Sequence, residues 1–161
     1  MYKRQLKTYP FEVNSEWHQA KSQIIAFEPE ELFGTKLRAL LQRHKNRDLF
    51  DLNEGLLHLG LDCDRVISCF QHYLTLEGHP ISRANAEERM LKKLNQSLTE
   101  DIAPLLPAGV SFSDADAIAA FGRVWGELVK RIPGEPWKSS GAVIEAIRKT
   151  KLPNLLSGVH E

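Results

Sequence analysis

The chain has 161 residues, enough for one domain, of which 42% are hydrophobic and 26% are charged. Its 21 basic and 21 acidic residues give a net charge of zero, which argues against non-specific binding to nucleic acid or to an anionic membrane but leaves a local basic patch open. No apolar run approaches the roughly 20 residues of a membrane span, and the two cysteines favour a reduced, cytoplasmic setting.

The start of the chain predicts a small amount of sheet. The opening letters, MYKRQ, match the translation of a transposase-type sequencing adapter, so residues 1–5 are expected to be non-native and the gene to continue upstream. Residues 7–14 alternate apolar and polar side chains and predict a strand. A loop is expected at 15–22, and QIIAF at 23–27 predicts a short, buried strand. Because two strands do not make a stable sheet alone, residues 6–28 are interpreted as the remnant of a larger sheet.

The rest of the chain predicts helices. Pro29 and the glutamates beside it begin a first helix, and a polar turn at 44–46 separates it from a second helix that ends at Gly60. Residues 29–134 are expected to form a bundle of five or six helices, followed by a loosely ordered tail at 135–161. The expected fold class is therefore mainly α, an α+β fragment. Further helical patterns lie at 64–76, 82–98, 113–131 and 142–148.

The first two helices, in the stretch ELFGTKLRALLQRHKNRDLFDL, carry charges on a leucine-rich face. On a helical wheel Lys36 and Arg43 fall inside the apolar arc of the first helix, and Asp48 borders the leucine stripe of the second. A charge on such an arc costs several kcal/mol unless it is paired or meets a ligand. One interpretation is a buried ion network in which Arg43 bonds Asp48 or Asp51, and Arg47 bonds Asp51. The other is a binding site.

A ligand explains Lys36 better than a structural pair does. Lysine cannot bind a carboxylate bidentately, and an ammonium on a half-buried helix face suits a phosphate. The Asp-x-Asp spacings at 62–64 and 114–116 have a simpler explanation, because both lie at helix starts, where aspartate caps. The six histidines show no metal-ligand spacing, so no metal site is expected in this chain. Lys92 and Lys93 are expected to lie on a solvated face. Gly122 and Gly126 are expected to allow close helix packing.

The two charged motifs resemble those of the nucleotidyltransferase AbiEii/AbiGii toxin family. The similarity extends from Tyr9 to about Arg131 and is strongest in the E-L-x-x-x-K-x-x-A-L-x-x-R helix and the R-D-x-x-D-L motif after it. The resemblance implies a toxin of a bacterial type IV-like toxin–antitoxin or phage-abortive system. Such a toxin transfers a nucleotide from a nucleoside triphosphate (NTP), with Mg²⁺, to an acceptor such as tRNA. It also implies a cognate antitoxin of the winged-helix, DNA-binding type as partner.

The resemblance further implies roles for individual residues, because both motifs are intact. Lys36 is expected to contact the phosphates of the nucleotide, and Asp48 is expected to belong to the active site, both as catalytic residues. Nucleotide-binding or supporting roles are implied for the other charged residues of the two motifs, which are Glu31, Arg43, Arg47 and Asp51.

The sequence also departs from the family. The family's Gly-(Gly/Ser)-(Ser/Thr) loop and the Asp-x-Asp strand that holds its metals are not found. The chain is therefore expected to be the C-terminal portion of a nucleotidyltransferase-like fold lacking its N-terminal sheet, and to be inactive alone. Two alternatives stay open: a non-catalytic helical module that binds an antitoxin, and a plain helical domain with a structural ion network. The latter is favoured if the C-terminal helices cover the face that holds Lys36 and Arg43.

Overall fold

The computed structural model describes residues 6–95 and 97–149, without the side chains of 147–149. Within this part, two strands precede six α-helices, which confirms the mainly α fold class. Residues 1–5 and 150–161, for which non-native sequence and a loose tail are predicted, lie outside the described residues. The elements are β1 (Leu6–Asn14), β2 (Gln19–Phe27), α1 (Pro29–Gln42), α2 (Arg47–His58), α3 (Cys63–Glu77), α4 (Arg83–Lys93), α5 (Asp114–Glu127) and α6 (Ser140–Lys149).

The two strands form an antiparallel hairpin, in register from Leu6 opposite Phe27 to Asn14 opposite Gln19. The prediction of a loop at 15–22 is wrong in its second half, because β2 already begins at Gln19. The predicted burial of the second strand is also wrong, since Ile25 is 71% exposed. Both strands are exposed over most of their length, because within the described residues no second layer covers either face.

The helices pack around α1, which contacts α2, α3 and α4, while α5 packs on α2. Apolar residues of α1 recur at helical spacing, as at Phe33, Leu37, Leu40 and Leu41, and their side chains are buried. No helix in residues 6–95 and 97–149 is long and apolar enough to cross a membrane. Outside α1, the largest fully buried hydrophobic side chains of the described residues are Leu49, Leu52, Phe70, Met90, Ile102, Phe121, Trp125, Leu128 and Ile132.

Two glycines set how closely the helices approach. A Cβ added to Gly34 of α1 would lie 2.9 Å from the backbone nitrogen of Phe70 in α3. A Cβ added to Gly55 of α2 would lie 2.1 Å from the ring of Phe33. The predicted packing role of Gly122 is wrong, because a Cβ there meets no atom within 4 Å. Close approach therefore depends on α1 and α2, the two helices that carry the charged motifs.

The helix starts follow local capping chemistry. The carboxylate of Asp62 accepts from the backbone N–H groups of residues 64 and 65 at 3.0 and 3.1 Å, and Ser82 caps α4. Ser113 and Asp116 form a reciprocal capping box, and the hydrogen bonds from Ser113 lower the pKa of Asp116. Both Asp-x-Asp spacings thus cap helices, as predicted. Two helices end earlier than predicted, α4 at Lys93 and α5 at Glu127.

A buried carboxylate holds the first part of the predicted tail against α4. Glu87, 2% exposed, accepts from the backbone N–H of Trp137 at 2.9 Å and from the hydroxyl of Ser140 at 2.5 Å. Its other oxygen accepts from Arg83 at 2.8 Å. Glu87 therefore attaches the start of α6 to α4 by hydrogen bonds to backbone and side chain together.

Candidate functional site

Lys36 of α1 and Asp51 of α2 form an ion pair, with Nζ and Oδ2 2.6 Å apart, and the junction of the two helices around this pair is named the groove between α1 and α2. The lysine side chain is 26% exposed and the aspartate 44% exposed, so the pair is half-buried. The predicted pairs of Arg43 and Arg47 with aspartates are wrong: in the described chain both arginines are exposed and in no ion pair. Arg43 is the C-cap of α1 and has an extended backbone, so a helical wheel does not give the direction of its side chain.

Asp48 is the most unusual residue of this groove. It lies in the first turn of α2 and is only 7% exposed, and within residues 6–95 and 97–149 its buried Oδ2 has no hydrogen-bond partner. Burial is the main cause that raises its pKa, and the negative charge of Asp51 adds to the rise. The positive charges of Lys36, Arg43 and Arg47 oppose it. The groove thus holds a buried carboxylate oxygen, with no hydrogen-bond partner among the described residues, next to three cations.

Asp48→Asn should stabilise the protein at neutral pH. The pKa of Asp48 is raised on folding, so its contribution to stability is fully present below the unfolded value of 3.8 and is lost as the pH rises through the folded pKa. A neutral amide removes this loss, with an expected gain of about 1 kcal/mol at about pH 7 and none at about pH 3. Urea unfolding of both proteins at the two pH values measures it. An equal gain at both values would contradict this explanation.

Glu31 does not lie in this groove. It is on another side of α1, 1% exposed, and accepts a hydrogen bond from the hydroxyl of Tyr73 in α3. Arg38 also contacts α3: it pairs with Glu77, and its guanidinium lies 5.5 Å from the centre of the Tyr73 ring. A pocket of about 220 Å³ adjoins them, next to the end of β2 at Phe27.

The structure therefore divides the six predicted site residues into three groups. Lys36, Asp48 and Asp51 share the groove between α1 and α2. Arg43 and Arg47 lie at the two ends of the turn that joins these helices, close enough to Asp48 to lower its pKa. Glu31 faces α3.

Lys93 holds the turn between α1 and α2, although the sequence suggested a solvated lysine. Its ammonium, on a residue 8% exposed, donates to the carbonyls of Arg43 and Lys45 at 2.9 and 3.2 Å and to Oδ1 of Asn46 at 3.1 Å. Burial lowers the pKa of Lys93, while the charges of nearby aspartates raise it. The spacing of Lys93 from the buried Met90 is the signal that could have predicted its burial.

Asn46 and Asp101 complete the support of the turn, and neither was predicted. The backbone N–H of Asn46 donates to Oδ2 of Asp101 at 2.7 Å, and its side-chain amide donates to the carbonyl of Ser97 at 3.0 Å. Asn46 is 2% exposed. Hydrogen bonds therefore hold both ends of the turn: Lys93 of α4 binds the carbonyl of Arg43, and Ser97 and Asp101, which follow α4, bind Asn46.

The Mg²⁺ that the family resemblance implies does not fit this groove. No group of three or more His, Cys, Asp or Glu residues that could hold a metal occurs in the part of the chain that the structure describes. Asp51 is already paired with Lys36, and Asp48 has cations around it. Such surroundings repel a divalent cation and attract an anion such as phosphate.

Comparisons with known proteins identify the family. Neither the curated proteins nor the solved structures contain a match. A protein-family model described as nucleotidyl transferase AbiEii toxin, type IV TA system, matches residues 3–125. The matched segment is more than half of the chain and includes both charged motifs, with Lys36 and Asp48. The chain therefore belongs to the nucleotidyl transferase AbiEii toxin family of type IV toxin–antitoxin systems.

Proposed function

We propose that the groove between α1 and α2 is one wall of a nucleotidyl-transfer site, in which Lys36 contacts the phosphates of an NTP and Asp48 accepts from a hydroxyl of the bound substrate. The observation that carries this proposal is the buried Oδ2 of Asp48, which has no hydrogen-bond partner in the part of the chain that the structure describes. A buried acceptor left unpaired costs about 1–3 kcal/mol, which a hydroxyl donated by a ligand would offset. Nucleotides carry such hydroxyl groups on their sugar.

The other charged residues support Lys36 in this proposal. An ammonium has three N–H donors, so the bond to Asp51 leaves two for a phosphate while holding the lysine in place. Arg43 and Arg47, exposed at the turn, add positive charge beside the groove. Glu31 acts as a supporting residue that fixes α1 on α3 through Tyr73.

The metal-binding carboxylates are proposed to come from a part of the fold other than this groove. Metal-dependent nucleotidyl transfer needs acidic residues close together, and both Asp-x-Asp spacings of this sequence serve as helix caps. The chain alone is then expected neither to bind Mg²⁺–NTP tightly nor to transfer a nucleotide. Membership of a type IV toxin–antitoxin family supports a cognate antitoxin of the winged-helix type, a cytoplasmic site of action and an acceptor such as tRNA.

The chain alone is expected to bind an NTP weakly, and Lys36→Met should weaken this binding about tenfold further, equivalent to 1.4 kcal/mol, because one charge-assisted hydrogen bond to phosphate is lost. The measurement is a titration of the ¹⁵N-labelled chain with NTP, followed through the amide shifts at 36 and 47–51. Lys36→Arg keeps the charge and should retain part of the affinity. Lys21→Met, on the exposed hairpin, is the matched control and should bind as the parent does.

One outcome would count against this function, and another would count against the expected inactivity of the chain alone. If Lys36→Met lowers the stability but leaves NTP binding unchanged, the lysine is structural and the ion-network interpretation is correct. The expected inactivity has its own test, in which the purified chain is incubated with Mg²⁺, tRNA and an NTP labelled at the α-phosphate. Label transferred to the RNA would show that the chain is active alone.

A further inference from the structure

A basic groove of about 440 Å³ lies between the end of α1 and the helix α4. Five basic side chains line it, and among the described residues no acidic one does. The chain as a whole has no net charge, so positive charge is concentrated here. The basic residues that line it are Arg43, His44, Arg89, Lys92 and Lys93.

Two of these basic residues, Arg43 and Arg89, have N–H donors available for a ligand. Lys93 uses its three N–H groups on the turn, and Lys92 pairs with Glu88 at 2.7 Å. Arg43 is exposed, and its side chain forms no ion pair within the described part of the chain. Arg89 is exposed and donates one N–H to the carbonyl of Leu41 at 3.2 Å, which leaves four of its five donors. Guanidinium groups match the geometry of phosphate oxygens better than ammonium groups do.

The groove is also preorganised. Arg89 and Lys93 of α4 both donate to backbone carbonyls at the end of α1, and these bonds fix the segment that carries Arg43. This segment is already ordered when the protein folds, so ligand binding has no further cost in conformational entropy for ordering it. Arg43 and Arg89 therefore present two phosphate-binding forks on one rigid surface.

We propose that this groove binds the phosphodiester backbone of a single-stranded nucleic acid. The turn from Arg43 leads through Arg47 directly to Asp48, so a strand bound in the basic groove would lie beside the groove between α1 and α2. That the strand is the acceptor of the transfer rests on the proposed function, whereas the binding of its phosphates does not. The positive charges of Arg43 and Arg89, unpaired among the described residues, attract such a backbone over several ångströms, with a strong dependence on salt.

The test measures the fluorescence anisotropy of a labelled 12-nucleotide RNA, and of DNA with the same sequence, in the presence of the whole chain. Arg43→Gln and Arg89→Gln should each weaken binding about three- to tenfold, and binding should fall between about 50 and 200 mM salt. Lys21→Gln removes the same charge from the hairpin and should change binding less than about twofold. Arg89→Lys keeps the positive charge, and thermal unfolding of each variant shows whether it is folded, so a loss of phosphate binding is distinguished from a loss of folding. Tighter binding of RNA than of DNA identifies an RNA strand, and equal binding identifies contacts to phosphates alone.

Three results would overturn the proposal: equal losses for Lys21→Gln and Arg43→Gln, binding insensitive to salt, or displacement of the RNA by polyglutamate of the same charge at the same concentration. The last result would assign the groove to an acidic protein. The titration contains no NTP, so its failure is distinct from a failure of the Lys36 experiment.

Discussion

Gly34→Ala is expected to destabilise the protein by about 2–3 kcal/mol, because it overpacks the contact between α1 and α3. The added Cβ would lie 2.7 Å from Cβ of Cys69 and 2.9 Å from the backbone nitrogen of Phe70. Backbone atoms cannot rotate away as the end of a flexible side chain can, so the two helices must separate. Their separation removes buried contacts along α1, the helix that carries Lys36.

Gly122→Ala is the matched control for this prediction. It makes the same substitution inside α5, where an added Cβ meets no atom within 4 Å. Since glycine in a helix interior is less favourable than alanine, Gly122→Ala should stabilise the protein by about 0.5–1 kcal/mol. Urea unfolding gives both values. If both substitutions stabilised the protein, helix propensity, and not the approach of α1 to α3, would decide the effect at Gly34.

Lys93→Met should destabilise the protein by about 2 kcal/mol, because it leaves two carbonyls and the side chain of Asn46 without their common donor. Methionine has a similar length and keeps the buried packing, so the loss reports mainly on the hydrogen bonds. The turn from Arg43 to Arg47 should also open more often. Hydrogen exchange of its amides should become at least about tenfold faster, equivalent to 1.4 kcal/mol.

Lys92→Met provides the control, since it changes the neighbouring lysine, which within the described residues pairs only with Glu88 on the same helix. An exposed pair of this kind contributes about 0.3–0.5 kcal/mol, so stability and hydrogen exchange at the turn should stay close to those of the parent. If Lys93→Met left exchange at 43–47 unchanged, Asp101 and Asn46 alone would hold the turn, and Lys93 would not position it.

The local features of the fold could be predicted from the sequence because neighbouring residues encode them. The caps at Asp62, Ser82 and Ser113 depend on one side chain and the next few backbone N–H groups. The core face of α1 follows from the helical spacing of its leucines. The motifs around Lys36 and Asp48 likewise carry the family in their residue order, and the family match confirms that assignment.

Other features depend on the distances between elements, which no local pattern contains. Only the packing of α1 against α2, with glycine at Gly55, brings Lys36 to Asp51. Only the approach of α4 to the end of α1 turns Lys93 from an expected surface residue into the support of the turn. The helical wheel likewise could not show that Glu31 faces α3.

The sequence by itself determined the mainly α fold, the helix caps and the family of this protein, because these reside in residue order and in contacts a few positions apart. The tertiary structure decided which charges meet. It placed a buried oxygen of Asp48 without a partner, left Arg43 and Arg47 exposed, and left the β1–β2 hairpin uncovered within the described residues. The physical reason is that burial and ion pairing depend on how closely whole helices approach.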